Sequence, residues 1–378
     1  MDLSRIFMKN ATPTKIGGQA IMEGIMMRGK DRTATVVRLP DDSLHIKTDK
    51  LPPKSKWAKI PIIRGVVAFV GSLVMGTKIL MYSADVLEAY ETGNPAEEPD
   101  KFELWMQKKF GKEKAWAFMI YLSVVVALLF TVGIFILLPT AAVHWCTVFT
   151  QNEFALNLIE GFVRILLFVG YVAAIRKMKE IRRVFGFHGA EHKCIHAFEN
   201  GIELTPANCQ QFYTLHPRCG TSFLMFVMVI SILLFSCLGW PSLFYRVLSR
   251  LLLIPVVAGL SYELLQWAGR SDNWLVKILS LPGIFLQKLT TCEPDEKQLE
   301  VAIAAMKAVL VDESEPTYEG TCDLEGKLIK SETLEEMRAA HKAVENGAES
   351  SAENDAEDEK TEVEEAVETK EAEDNNQQ

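Results

Sequence analysis

The stretch Val184–Gly201 (VFGFHGAEHKCIHAFENG) gathers residues that can hold a metal ion and move a proton. Read as a helix that stops at Asn200–Gly201, a common C-terminal signal, it puts His188 and His192 one turn apart on one face. Glu191 lies beside them, and His196 and Glu199 continue the stripe. The pattern is H-x-x-E-H, the inverted form of the zinc-peptidase helix motif. Two imidazoles at i and i+4 can bind one Zn²⁺, and the neighbouring carboxylate can take a proton from the water that the metal activates. His188 and His192 are the candidate ligands of a divalent metal, Zn²⁺ by ligand type, and Glu191 is the candidate general base. Five-residue patterns recur by chance, and a polar helix carrying three histidines and two glutamates needs no metal. Histidine is sparse elsewhere, however, with four of the seven lying between residues 188 and 216.

A third ligand is expected at Glu263 in SYELLQW, because an ionisable residue inside an apolar helix marks a functional site by default. The competing role for Glu263 is that of an interfacial glutamate that reaches out to water or pairs with Arg270. HPRCGTSF (216–223) supplies reserve ligands, His216 and Cys219, with His196 as another, and Arg218 could hold an anionic group. As a tight turn feeding a helix, the same stretch explains its proline and glycine but not its histidine and cysteine. Further upstream, GGQAIMEGIMMRG (17–29) is neither a P-loop nor a dinucleotide fingerprint. Its glycines imply close backbone approach, and Gln19, Glu23 and Arg28 are candidates either for lining a site or for tight packing.

These residues must be positioned by a chain of 378 residues that is 49% hydrophobic, 24% charged and of mean hydropathy +0.10. Apolar and charged residues are segregated. Residues 331–378 hold 17 acids and 4 bases, whereas the first 330 carry a net +4, so a mildly basic apolar body bears an acidic tail. A single soluble globule, a collagen-like chain and a wholly disordered chain are excluded. The seven cysteines are irregularly spaced and show no disulfide framework.

A bilayer core needs roughly 20 apolar residues in a helix. Spans are expected at 117–139, 154–175, 221–240 and 247–265. Residues 60–81 are apolar but carry Arg64, Lys78 and three glycines, and read as an in-plane or re-entrant helix. The basic cluster at 176–183 and the absence of Lys and Arg from 140–152 put both termini and a His-rich loop, 176–220, in the cytoplasm. The fold class is mainly α: a polytopic membrane protein with about four transmembrane helices and a small N-terminal α+β cytosolic part. Its divisions are 1–59 (the Gly-rich motif and a hairpin over Thr33–Thr48), 60–310 (membrane domain) and 311–378 (acidic disordered tail). Trp274–Leu289 reads as an amphipathic segment broken by Pro282–Gly283, and Glu296–Val311 as a helix.

GGQAIMEGIMMRG, FHGAEHKCIHAFENG, HPRCGTSF and SYELLQWAG together resemble the YqhQ-like family of bacterial polytopic membrane proteins, over roughly residues 15–310. The resemblance implies a predicted metal-dependent enzyme of the plasma (inner) membrane, with functional weight on Glu23, His188, Glu191, His192, His216, Cys219 and Glu263. It supplies no substrate. Two functional classes follow. One is a cytosol-facing, zinc hydrolase-like enzyme. The other is a non-enzymatic metal-binding, assembly or regulatory protein that recruits a partner. An enzyme keeps one metal position open, whereas a structural site is closed by four protein ligands. The expected partners are the lipid bilayer and a further copy of the chain or another membrane protein; nucleic acid is not expected.

Overall fold

The computed structural model describes residues 12, 14–53, 60–90, 118, 122–123, 125–127, 129–238, 242–268, 273–312 and 314–339. The expected disordered tail beyond residue 339, and Arg270, lie outside them.

Four strands, β1 (Gly17–Ile21), β2 (Gly24–Arg28), β3 (Arg32–Arg38) and β4 (Leu44–Lys50), form an antiparallel meander. β3 and β4 meet across the Pro40–Asp41–Asp42 turn, where Asp42 has a φ of 68° and the Ser43 amide donates to Asp41. Two further strands, β5 (Glu319–Cys322) and β6 (Leu328–Ser331), complete a six-stranded sheet in chain order. This corrects the assignment of 311–339 to the tail. Both strands are four residues long; β5 alternates in burial, but over only EGTC, and β6 is exposed throughout, so neither gives a run long enough to mark a strand in sequence.

Successive strand residues point to opposite faces, and here both faces are covered. Ile25, Met27, Ala34, Val36, Leu44 and Ile46 pack on two helices, α4 (Lys179–Glu199) and α9 (Glu296–Val309). Ile21, Val37 and Leu39 pack on Val86 and Ala89 of α1 (Ile63–Tyr90) and on Met337. A capping box, Asp295 with Gln298, starts α9, and Gln298 also donates to the Arg183 carbonyl of α4. Among the described residues, all the other helices except a turn at 334–339 are inserted between β4 and α9.

Those helices are α2 (Val125–Val148), α3 (Glu153–Ile175), the short α5 (Pro206–Gln210), α6 (Thr221–Ser236), α7 (Leu243–Ala268) and α8 (Trp274–Thr290). Four helices among the described residues are long and apolar enough to cross a membrane: α1, α2, α3 and the Leu248–Trp267 part of α7. Leu129, Phe130, Leu166 and Leu252 are all more than half exposed, a surface suited to lipid. This set is compatible with a multi-pass membrane protein.

The set differs from expectation in membership. The helix at the expected 221–240 span, α6, has 16 residues, about 24 Å of rise against a hydrocarbon core of roughly 30 Å. Around 60–81, α1 runs to 28 residues and extends past Met81 to Tyr90. Helix α8 is not broken: it continues through Pro282, and Gly283 lies against Ser222 of α6. Within the apolar helices, Glu160 of α3 pairs with Arg164 one turn on at 2.8 Å, and also with Arg250 of α7 and the Thr140 hydroxyl.

Segment 14–23 is laid antiparallel along α4. Thr14 bonds to Glu199, Gly18 to Glu191, and Glu23 to Arg183. The helix contacts recur every eight residues, about 12 Å of rise, which four or five extended residues can match.

Candidate metal centre

Helix α4 carries the H-x-x-E-H residues because its glycines let it sink between its neighbours. A Cβ on Gly186 would meet the Gln298 side chain, and one on Gly189 would meet the Cys292 carbonyl. The helix ends at Asn200, and Gly201 takes a φ of 67° that favours glycine. His188 and His192 consequently face one place, their ring centroids 4.4 Å apart.

The third residue there is Cys219, just before α6. Donor atoms of His188, His192 and Cys219 all lie within 4.8 Å of one another, and His188 Nε2 is 3.1 Å from the Cys219 sulfur. Each imidazole is oriented from behind. His188 Nδ1 lies 2.8 Å from the Thr290 carbonyl at the end of α8, and His192 Nδ1 lies 2.5 Å from the Thr214 carbonyl. A carbonyl only accepts, so each Nδ1 carries the proton and each Nε2 is left to act as a ligand. The buried Nε2 of His192 has no hydrogen-bond partner. Ligands of a tetrahedral zinc, with bonds of roughly 2.0–2.3 Å, lie roughly 3.3–3.8 Å apart. The nitrogen, nitrogen and sulfur set matches that ion in softness, and its separations, 3.1 Å for His188 and Cys219 and within 4.8 Å for all three, bracket that spacing.

Charges in the cluster reinforce one another. Burial opposes ionisation of Cys219, but the His188 and His192 imidazoles outweigh it and hold the thiol well below its usual range. Burial likewise opposes the imidazolium of His188, yet Cys219 and Glu191 raise its pKa to about 9. Without metal the pair is a thiolate against an imidazolium. Glu191 is buried next to them, and burial raises its pKa against the pull of His188 and His192. Its Oε1 accepts from the Gly18 amide at 2.7 Å, and a Cβ on Gly18 would come within 2.9 Å of the carboxyl carbon. The glycine at 18 is what admits this carboxylate.

Glu263 is not brought to this cluster. Its carboxylate takes Arg64 in a two-pronged ion pair, Arg64 Nε at 2.7 Å, together with the Ile62 amide. The cause lies in the helix contact: Gly259 and Tyr262 of α7 seat Gly65 of α1, which delivers Arg64 to Glu263. Cys219, a reserve ligand on sequence, stands where Glu263 was expected.

The other reserve histidines form a layer behind the site. His196 Nε2 lies 2.9 Å from the Leu215 carbonyl, with its ring stacked on Phe212. His216 is locked through its backbone by Gln287, at 2.8 and 2.9 Å, and its Nε2 is 3.5 Å from Glu199. Burial lowers His196 to about 4 and His216 to about 3, so both are neutral near pH 7. Arg218 pairs with Glu199 and holds no open site. Glu199 resists burial and stays near 2 because His216, the Thr14 amide and Arg218 surround it. Gln19 donates to the Gly76 carbonyl of α1. Glu23, at φ 49° in the β1–β2 turn, pairs with Arg183, and Arg28 is exposed at the end of β2. None of these three joins the donor cluster.

Sequence reasoning missed Gly18, Thr214, Thr290 and Gln287. Three of them act through backbone groups, which leave no residue-type signature; only the paired glycines at 17–18 gave a signal.

The model of a family described as a protein of unknown function (DUF1385) matches residues 60–312. The chain belongs to the DUF1385 family. The match takes in His188, Glu191, His192 and Cys219 and leaves β1–β4 of this DUF1385 chain outside it. It is 34% identical over 316 residues to "Uncharacterized protein YqhQ" of Bacillus subtilis (strain 168), covering 80% of this chain and 94% of that one. No solved structure matches it.

Proposed function

We propose that the protein is a membrane-anchored, metal-dependent hydrolase whose site faces the cytoplasm. His188, His192 and Cys219 are the ligands of a divalent ion, Zn²⁺ by donor type, and Glu191 is the general base. The supporting observation is that two imidazoles, each with Nδ1 committed to a carbonyl, share one thiol, which lies 3.1 Å from His188 Nε2, with all three donors within 4.8 Å of one another. No fourth His, Cys, Asp or Glu among the described residues joins that group, which leaves a coordination position for water or substrate. A bound divalent ion would acidify water and polarise a carbonyl. Glu191 accepts the proton of the attacking water and returns it to the leaving group, and its raised pKa suits both transfers. Thr214 and Thr290 hold the tautomers that the ligands need.

The hydrogen bond from Gly18 to Glu191 favours a second reading. There the carboxylate only fastens β1 to α4, and a metal-stabilised head recruits a partner. Glu191→Gln separates the two, because Gln keeps an acceptor for Gly18 but cannot take a proton. The hydrolase reading expects full zinc content with lost complementation of a deletion strain. Full complementation by zinc-replete Glu191→Gln protein would sink it.

Helix α1 fits an in-plane position. Phe69 packs on Phe223, one turn beyond Cys219, while Gly76 and Tyr82 are tied to Gln19 and His45 of the sheet.

A further inference from the structure

β1 is an edge strand: β2 is its only ladder partner, and no described strand pairs with its outer side. In a two-residue hairpin closing at Ile21 and Gly24, residues 17, 19 and 21 bond inward, so 18 and 20 direct their backbone groups outward. The Gly18 amide meets Glu191 on that outer side. An unpaired sheet edge therefore borders the candidate metal centre. The approach is open at Gly17 and at Gly220, next to Cys219, where a Cβ would meet nothing within 4 Å, whereas at Gly18 the Glu191 carboxylate of α4 fills the outer side and must be displaced.

Resting on the hydrolase reading, we propose that the substrate is an extended polypeptide that adds to β1 as an extra strand. Outward N–H and C=O groups then repeat every two residues, about 7 Å, the spacing of a peptide backbone. A phospholipid ester finds less here, since the flanking arginines, Arg183 and Arg218, are already paired with Glu23 and Glu199. Pairing at Gly18 transfers its N–H to a substrate carbonyl and releases Glu191 Oε1. Water then adds to the acyl carbon, the C–N bond breaks, and the proton held by Glu191 passes to the leaving amine. One water is consumed and nothing is oxidised or reduced.

The test uses the full chain in nanodiscs, zinc-loaded, with carboxymethylated casein as an unfolded polypeptide and phosphatidylglycerol vesicles in a separate arm. Casein should be cleaved and no fatty acid released. In Glu191→Gln protein with zinc retained, casein should slow hydrogen exchange of the Ala20 amide. Ala20→Pro removes that outward N–H at a position where an edge strand tolerates proline, and should lower casein cleavage about tenfold or more. Unaltered cleavage by zinc-replete Ala20→Pro, or unaltered exchange at Ala20, overturns strand addition and leaves the hydrolase reading standing. Fatty acid release without casein cleavage overturns the polypeptide class. A wild-type chain that takes up no zinc overturns the hydrolase reading instead; slowed exchange at Ala20 would still report polypeptide binding.

Discussion

At the residue scale, the difference between Cys219 and Glu263 is testable. Cys219→Ser should weaken zinc binding at least about tenfold, whereas Glu263→Gln should leave it intact, as measured by competition with a chelator. Equal losses would restore Glu263 as a ligand. Zinc uptake should also release a proton. At pH 7 His188, held near 9 by Cys219 and Glu191 against its burial, is an imidazolium and must lose its proton to coordinate. Apparent affinity should rise with pH until about 9, and calorimetry in buffers of different ionisation enthalpy should count the proton. On the far face of the sheet, burial opposes the charge of Glu319, but His45, Lys47 and Tyr82 overcome it and bring the carboxyl down to about 2. This folded value lies below the ordinary 4.5, so its contribution is complete above that pH and lost as pH falls toward 2. The melting temperature of Glu319→Gln should match the wild type more closely at low pH than at pH 7.

At the element scale, α1 carries the sharpest expectation. Cysteines introduced at Pro61 and at Gln210 should label from the same side of the membrane if α1 lies in the plane. Labelling from opposite sides would make it a crossing helix. The sequence showed the apolar stretch at 60–81 but not where its contacts fall, because Gly65, Gly76 and Tyr82 gain meaning only beside Gly259, Gln19 and His45. The H-x-x-E-H helix was legible because its candidate ligands are local, one turn apart. The third member of the cluster was not, since any of several acids and cysteines downstream satisfied the pattern, and helix packing brings Cys219 there. Proline misled at Pro282, where the lost hydrogen bond is absorbed within a helix packed against α6.

At the scale of the whole molecule, the head is built from both ends of the chain, and truncations should reveal it. Removing residues after 339 should leave zinc content and membrane insertion unchanged. Ending the chain at 314 strips β5 from β4 and Glu319 from Lys47 and Tyr82. It should leave a protein that aggregates or is degraded, as judged by size-exclusion chromatography and protease resistance. The division was hidden in sequence because the acidic run hides two short strands. It also orders events in time. A ribosome makes β1–β4 first, but the carbonyl of Thr290 that orients His188, and the helix α9 beneath the sheet, emerge only after the four described helices that are long and apolar enough to cross a membrane. A nascent chain therefore carries His188, His192 and Cys219 before the segment that orients them, and the cluster is completed only once residues 290–309 have left the ribosome.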